Sequence, residues 1–449
     1  MAQQKRAVQW SLMVLAILAG LPTQGQTQTS APLTLNQATA SALRHHPMLD
    51  AARAEQQRAA GTLRGARSNE FPTISAGEDI LYSSDPVFAF GSKLRQAQFS
   101  TADFGIDSLN HPANLSNFSA SATANWSAFD GGSTRHKVSA AQATLHATEL
   151  SAQYTSEQVA TRVARLFYRA LLAEDEIAVA QAAMTRSQEV SGGIQDRVRA
   201  GLSLESDGAR ADLSVQTSND DLTAAKDNAT LARRDLFDAI GESDSGQPLE
   251  RPVVENNQRA ATNLQDRLDM QVLHLQQQAA KQNIQAVHSA LLPQVSVFGH
   301  VENDAQYFVT HGSGNWTVGA KVQFTVFDGG ARKARELEAT THLHALEAQE
   351  KSTLLDARTN IASLTNQVKD LERRLNTAKT AIHVQQDSLA TARDRYANGL
   401  VTLSDVLNAE SDLAAADYQR LKVFYQLCTT NAELALADGS MTISKAGQP

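Results

Sequence analysis

The chain has one cysteine, Cys428, among 449 residues. That excludes a disulfide framework, a cysteine-based zinc site and an iron–sulfur cluster together. Aromatics make up 5%, and 24 glycines with 10 prolines are too few for collagen-like or Pro/Gly-rich low-complexity sequence. The formal charge is −8 with no basic block, so nucleic acid is not an expected partner. No GxGxxG, GxxxxGK[ST], HExxH or GxSxG pattern occurs, and no enzyme is expected. His45-His46 and His342-Leu343-His344 read as solvated histidines on polar helices rather than ligands, so neither a metal nor a cofactor is expected. Cys428 reads as a small packing residue in a helical stretch. The apolar fraction of 42% does allow a sizeable core.

Beyond the N-terminus no window holds 18 uncharged apolar residues, so no spanning helix is expected. Residues 1–25 are different. Lys5 and Arg6 form a basic head, Ser11 to Gly20 is a short apolar stretch, and small or polar residues follow. This is the pattern of a secretory signal, with cleavage anywhere from Gly20 to Ala31 and no cysteine nearby for a lipid anchor. The mature chain is expected outside the cytoplasm, either soluble in the periplasm or held in a membrane by strands.

The rest is written twice. Phe129-Asp130-Gly131-Gly132 recurs 198 residues on as Phe327-Asp328-Gly329-Gly330, and the same offset carries Arg197 to Arg395, Gly201 to Gly399, Leu202 to Leu400, Asp207 to Asp405 and Gly241 to Gly439. Upstream, Phe71-Pro72 answers Leu292-Pro293 at an offset of 221, so the first copy carries 23 extra residues before its FDGG. They fall around Ser83–Asn114, polar and rich in Ser, Asp, Gly, Asn and Pro, which predicts a long loop. The expected division is a first repeat over 26–241, a linker over 242–262 with Pro248 and Pro252, a second repeat over 263–439 and a tail over 440–449. Each repeat runs helix (about 35–68 or 263–290), strand pair, FDGG, very long helix, glycine break, return helix to about 240 or 437.

Trp316 to Val326 alternates strictly, with Trp316, Val318, Ala320, Val322, Phe324 and Val326 on one face and polar or small residues on the other. Eleven residues of period two is about the length of a tilted membrane strand. Phe118 to Ala128 alternates likewise, Val295 to Val301 forms a third run, and Ile74 to Tyr82 a weaker fourth interrupted by Glu78. Trp126, Phe129, Trp316 and Phe327 sit near strand ends, where barrels carry aromatic girdles. One such strand alone fits a half-buried sheet equally well. Four at matched places behind an export signal favour lipid. Four strands cannot close, and open edges are not tolerated in hydrocarbon, so several chains must pool theirs. Three copies are the fewest whose barrel begins to leave a lumen.

Ser133–Arg197 and Ala331–Tyr396 contain no proline, and about 65 residues make a rod of roughly 95–100 Å. Leu354, Ile361, Val368, Leu375, Ile382, Leu389 and Tyr396 recur every seven residues, with Ala357, Leu364, Leu371, Ala378 and Ala392 at companion positions and Gln385 the polar break. That specifies a coiled-coil seam. The FDGG glycines let strand run into helix, and Asp130 or Asp328, or Ser133 and Thr134, can cap the exposed amides. Gly201 and Gly399 are placed to end the descending helices, and Ser206-Asp207 and Ser404-Asp405 to cap the return helices.

These segments resemble the TolC-like outer-membrane efflux family. The residues concerned are Leu33-Thr34-Leu35-Asn36-Gln37-Ala38 with His46-Pro47, Arg267-Leu268-Asp269, Leu291-Leu292-Pro293, both FDGG motifs and the pairs Arg197–Asp207 and Arg395–Asp405. The resemblance implies a mainly α fold with a membrane β-barrel. A long coiled-coil α-helical barrel would join four strands per chain, completed as a 12-stranded barrel in a homotrimer. It also implies outer-membrane lipid around the strands, a periplasmic adaptor and an inner-membrane pump. It maps adaptor docking to Gly201-Leu202 and Gly399-Leu400, and the periplasmic aperture to Asp207, Asp405 and Tyr396. The family's latching arginine after the second glycine has no match in Leu400-Val401-Thr402-Leu403. The expected function is an exit duct for small-molecule efflux or type I secretion. The competing expectation is a periplasmic or surface-exposed coiled-coil structural protein without channel activity, which salt or carbonate would wash off.

Overall fold

The computed structural model describes residues 31–252, 263–308 and 312–441. The expected signal at 1–25, residues 253–262 of the 242–262 linker and most of the 440–449 tail lie outside the described residues. Among the described residues, no helix is long and apolar enough to cross a membrane.

Four strands form one antiparallel sheet in sequence order: β1 Thr73–Ser83, β2 Leu115–Phe129, β3 Gln294–Ala305 and β4 Ser313–Gln323. The first two belong to the first repeat and the last two to the second, so the β2–β3 ladder joins the halves while β1 and β4 are open edges. Register keeps the alternation coherent across the sheet. Ala76, Ala122, Val301 and Trp316 stand side by side, as do Ile74, Ala124, Gly299 and Val318. The adjacent row on the other face is Gly77, Ser121, Glu302 and Asn315. The last strand differs from the expected Trp316–Val326: it starts and stops three residues earlier. Its partner β3 begins at Gln294, paired with Gln323, directly after Pro293, which has no amide to extend the ladder.

From the sheet the chain enters helical hairpins. Helix α5 spans Ser133–Arg199 and returns as α6, Glu205–Ile240; helix α8 spans Ala331–Ala397 and returns as α9, Leu403–Ala437. Each descending helix has 67 residues, about 100 Å. The heptad reading describes α8 well: Ala357, Leu364, Leu371, Ala378 and Leu389 are buried, and Ile361, Val368, Leu375 and Ile382 flank them half-buried. Their partners on α9 include Val406, Leu413, Val423, Leu427 and Leu434.

The expected first helix, 35–68, is two: α1 Leu35–His45 and α2 Pro47–Ser68. His46 adopts extended backbone and its Nδ1 accepts the Met48 amide at 3.2 Å, while Pro47 occupies the first helical position, where a missing amide costs nothing. Thr34 and Gln37 form a capping box that starts α1. In the second repeat the helix is α7, Leu268–His288, shorter than the expected 263–290 because single 3₁₀ turns flank it. Leu33 bridges Leu249, and both join the largest core, where α1, α5, α6 and α9 bury Phe167, Leu171, Leu236, Ile240 and Tyr425. Cys428 is buried as expected, and burial pushes its thiol up to about 11.

The segment over 83–114 is not a loop. It holds α3 Pro86–Arg95, a 3₁₀ turn Thr101–Phe104 and α4 Ile106–Asn110. Asp85 accepts the Phe88 amide at 2.7 Å with Pro86 in the first turn, a helix start hidden in what otherwise reads as turn-rich sequence.

Candidate functional site

The sheet presents a face that water does not suit. Along β4 and just beyond it, Trp316, Val318, Val322, Phe324 and Val326 are each more than half exposed, and Val326 reaches 87%. Ile74, Ile80 and Val301 extend that surface across the other strands. Of the expected girdle residues, Trp126 donates its indole N–H to the Glu70 carbonyl at 3.0 Å, and Phe129, Trp316 and Phe327 lie exposed. An apolar face this broad on a single chain marks a surface meant for lipid or another protein.

At both FDGG junctions the aspartate, not the following Ser133 or Thr134 hydroxyl, holds the helix start. Asp130 accepts the Gly132 amide at 3.0 Å and the Thr134 amide at 2.6 Å; Asp328 accepts Gly330 at 3.1 Å and Arg332 at 2.8 Å. The glycines have φ of +70° and +89° in the first copy and +64° and +89° in the second, conformations other residues reach only with strain. Burial pushes the Asp130 carboxyl up, but its hydrogen bonds from Thr134 and Gly132 outweigh this and hold it below the usual range. The Arg332 amide does the same for Asp328, helped by Gly330 and the charges of Arg332 and Arg335.

The far ends of the hairpins form the tip. Gly201 (φ +71°) and Gly399 (φ +73°) close α5 and α8 in Schellman geometry: Leu202 donates to the Arg197 carbonyl at 2.8 Å and Leu400 to Arg395 at 2.9 Å. This leaves Leu202 and Leu400 68% and 74% exposed at the end of the molecule. The aperture candidates do not play equal parts. Asp405 is the third helical residue of α9 and accepts from the Thr402 amide at 2.8 Å and hydroxyl at 2.7 Å. Those two bonds, the hydroxyl's first, lower its pKa. Asp207 holds the matching place in α6, but the cap position there is Leu204, with no side chain to give a capping bond. The expected shared capping role therefore falls to Asp405, partnered by Thr402.

Tyr396 links the two hairpins. The Arg197 guanidinium stands 5.4 Å over its ring, Arg197 Nε donates to Ser203 Oγ at 3.3 Å, and that hydroxyl lies 3.4 Å from the Tyr396 hydroxyl. The ring also packs beside Ile194, Ala211 and Leu403. The guanidinium at this tip comes from the first hairpin, not from the stretch after Gly399. Sequence reasoning missed a second pair: Arg393 donates to Glu410 at 2.6 Å, with Glu410 buried. The repeat offset was the signal, since it maps these residues onto Gln195 and Asp212, which are joined at 3.0 Å.

An open-edged sheet with a lipid-compatible face, running through Asp-Gly-Gly junctions into hairpins about 100 Å long, defines a membrane channel subunit. The chain matches the outer membrane efflux protein family over residues 38–242 and 261–440, and it belongs to that family. Membership puts the sheet in the outer membrane of a Gram-negative cell, with the helical part in the periplasm. The probable outer membrane lipoprotein SilC of Salmonella typhimurium is 27% identical over 188 residues, and the match spans only 39% of that relative's length. Nodulation protein T of Rhizobium leguminosarum bv. trifolii is 20% identical over 333 residues, 71% of each chain. Among solved structures, the outer membrane protein VceC of Vibrio cholerae superposes with a TM-score of 0.76 at 20% identity, covering 90% of this chain and 96% of that one. The CmeC outer membrane channel of Campylobacter jejuni gives 0.76 at 16%, covering 96% and 95%. At such identities the likeness is one of fold.

Proposed function

We propose that this protein is the exit duct of a tripartite efflux system, a homotrimer that conducts passively what an inner-membrane pump delivers through a periplasmic adaptor. The observation that carries the reading is the sheet: four strands with one apolar face and two unpaired edges reach a stable state in lipid only when other copies complete the wall. Twelve strands enclose a lumen, and their polar faces would line it. The hairpins would continue that lumen across the periplasm and narrow at the tip.

There Asp207 and Asp405, three copies of each, would ring the aperture and favour cations. Tyr396, Arg197 and Ser203 would hold neighbouring hairpins together. The exposed Leu202 and Leu400, presented by Gly201 and Gly399, would meet the adaptor. The test is single-channel recording on detergent-extracted, reconstituted protein. Asn at both positions keeps the hydrogen-bonding shape of Asp405 and removes the charge, so Asp207→Asn with Asp405→Asn should lower cation selectivity and leave the trimer intact. Unchanged selectivity would reject the acidic ring, and a carbonate-soluble protein would reject the duct.

A further inference from the structure

The segment between β1 and β2 is a folded unit that the duct reading does not use. Aromatic and charge contacts hold it together: Phe90 meets Phe99 edge-on at 4.6 Å, Phe99 meets the exposed Phe104 at 5.1 Å, and Lys93 pairs with Asp103 at 2.6 Å. Helix α3 has two faces. One buries Ala89, Ser92 and Gln96. From it Gln96 Nε2 donates to Asn117 Oδ1 at 2.6 Å and to the Ser116 carbonyl at 3.0 Å, and Asn117 Nδ2 donates on to Asp304, which is fully buried. Arg95 reaches Glu302 at 3.3 Å, and the same carboxylate oxygen accepts from Ser119 at 2.7 Å.

Asn117, Ser119, Glu302 and Asp304 all lie on the polar face of the sheet, at the end away from the long helices. In a barrel whose apolar face meets lipid, that face looks inward. In such a barrel the unit would sit inside the outer mouth, tied down by a buried polar network. The opposite side of α3 is apolar and uncovered, with Val87 81% and Leu94 52% exposed, and Ile106 at the start of α4 is 79% exposed. With α3 tied to the inner face of the wall through Gln96 and Arg95, the side bearing Val87 and Leu94 would point away from the sheet, toward the axis and the sister chains.

We infer that the apolar lid face binds its own copies, the three lids meeting through Val87, Leu94 and Ile106 to plug the extracellular end of the lumen. The inference rests on the trimeric duct reading. Val87 and Leu94 stand two helical turns apart on one face of α3, so the contact is a short apolar stripe against its symmetry mates.

The test uses the full-length protein in detergent. Because Cys428 is buried, Leu94→Cys adds the one accessible thiol. Oxidation should give a disulfide-linked dimer on a non-reducing gel, whereas Val318→Cys on the lipid face should give none. In planar bilayers, Val87→Asp with Ile106→Asp should roughly double single-channel conductance, because three charged lids repel. A trimer that forms no Leu94→Cys dimer and keeps its conductance overturns the lid contact alone. A monomer by native mass measurement overturns the duct reading and the lid contact with it.

Discussion

The two repeats share a backbone plan and differ in how firmly side chains hold it. Both junctions use Asp and two left-handed glycines, but a Cβ on Gly131 would stand 2.5 Å from the Ser289 carbonyl oxygen, while one on Gly329 would meet nothing within 4 Å. At the tip the second hairpin starts its return helix with a Thr402–Asp405 capping box, and the first starts at Leu204 without one. In the sheet the first repeat carries the folded segment with α3 and α4 between its strands, whereas β3 and β4 of the second are separated by only seven residues. Duplication preserves the positions that need unusual dihedrals. Capping, packing and the polar pairs are free to diverge, because either version closes the same geometry.

The sharpest break contrasts the two faces of the sheet. Val318→Arg puts a charge on the apolar face and should cost about 2–4 kcal/mol in lipid, lowering the yield of assembled protein in the outer membrane. Thr317→Arg, one residue away on the polar face, should leave that yield nearly unchanged. The two junctions come next. Gly131→Ala combines left-handed strain with a clash and should cost about 3 kcal/mol, and Gly329→Ala, with strain alone, about 1 kcal/mol. Thermal unfolding followed by tryptophan fluorescence in detergent would read the difference.

At the tip, Leu204→Thr should rebuild the missing capping box with Asp207 and stabilise by about 1 kcal/mol, whereas Thr402→Ala should lose a similar amount. Hydrogen exchange at the two return-helix starts would register both. The smallest effect concerns Glu157, which the offset maps onto Leu355. Burial pushes its carboxyl up to about 7, with a contribution from Asp269 that Arg267 partly offsets. A carboxyl raised from an ordinary value of 4.5 favours the folded state at low pH. That contribution fades as pH rises through about 7, so Tm should fall between pH 5 and 8. Glu157→Gln should flatten that slope.

Much of this was legible beforehand. The heptads of α8, the glycine breaks at 201 and 399 and the alternation of Trp316 to Val322 each repeat a local signal over many residues. The candidate site was legible where a motif demands a backbone shape, as at FDGG and Gly-Leu. It was not legible where the partner lies far along the chain. Arg197 stacks on Tyr396 across the two hairpins, and Gln96 reaches Asn117 and the Ala305 carbonyl at 3.4 Å. The segment over 83–114 was misread for the same reason: its turn-forming residues dominate the composition, while the phenylalanines and Gln96 that fold it act at a distance.

Periodicity and duplication by themselves determined a two-fold repeated chain of long rods and amphipathic strands, since period, length and glycine placement are properties of the backbone that neighbouring residues impose. Only the tertiary structure decided which strands adjoin, that one aspartate caps and its twin does not, and that an apparent loop folds back over the sheet. Those choices depend on side chains dozens to hundreds of residues apart reaching hydrogen-bond or van der Waals distance, and such contacts leave no local trace.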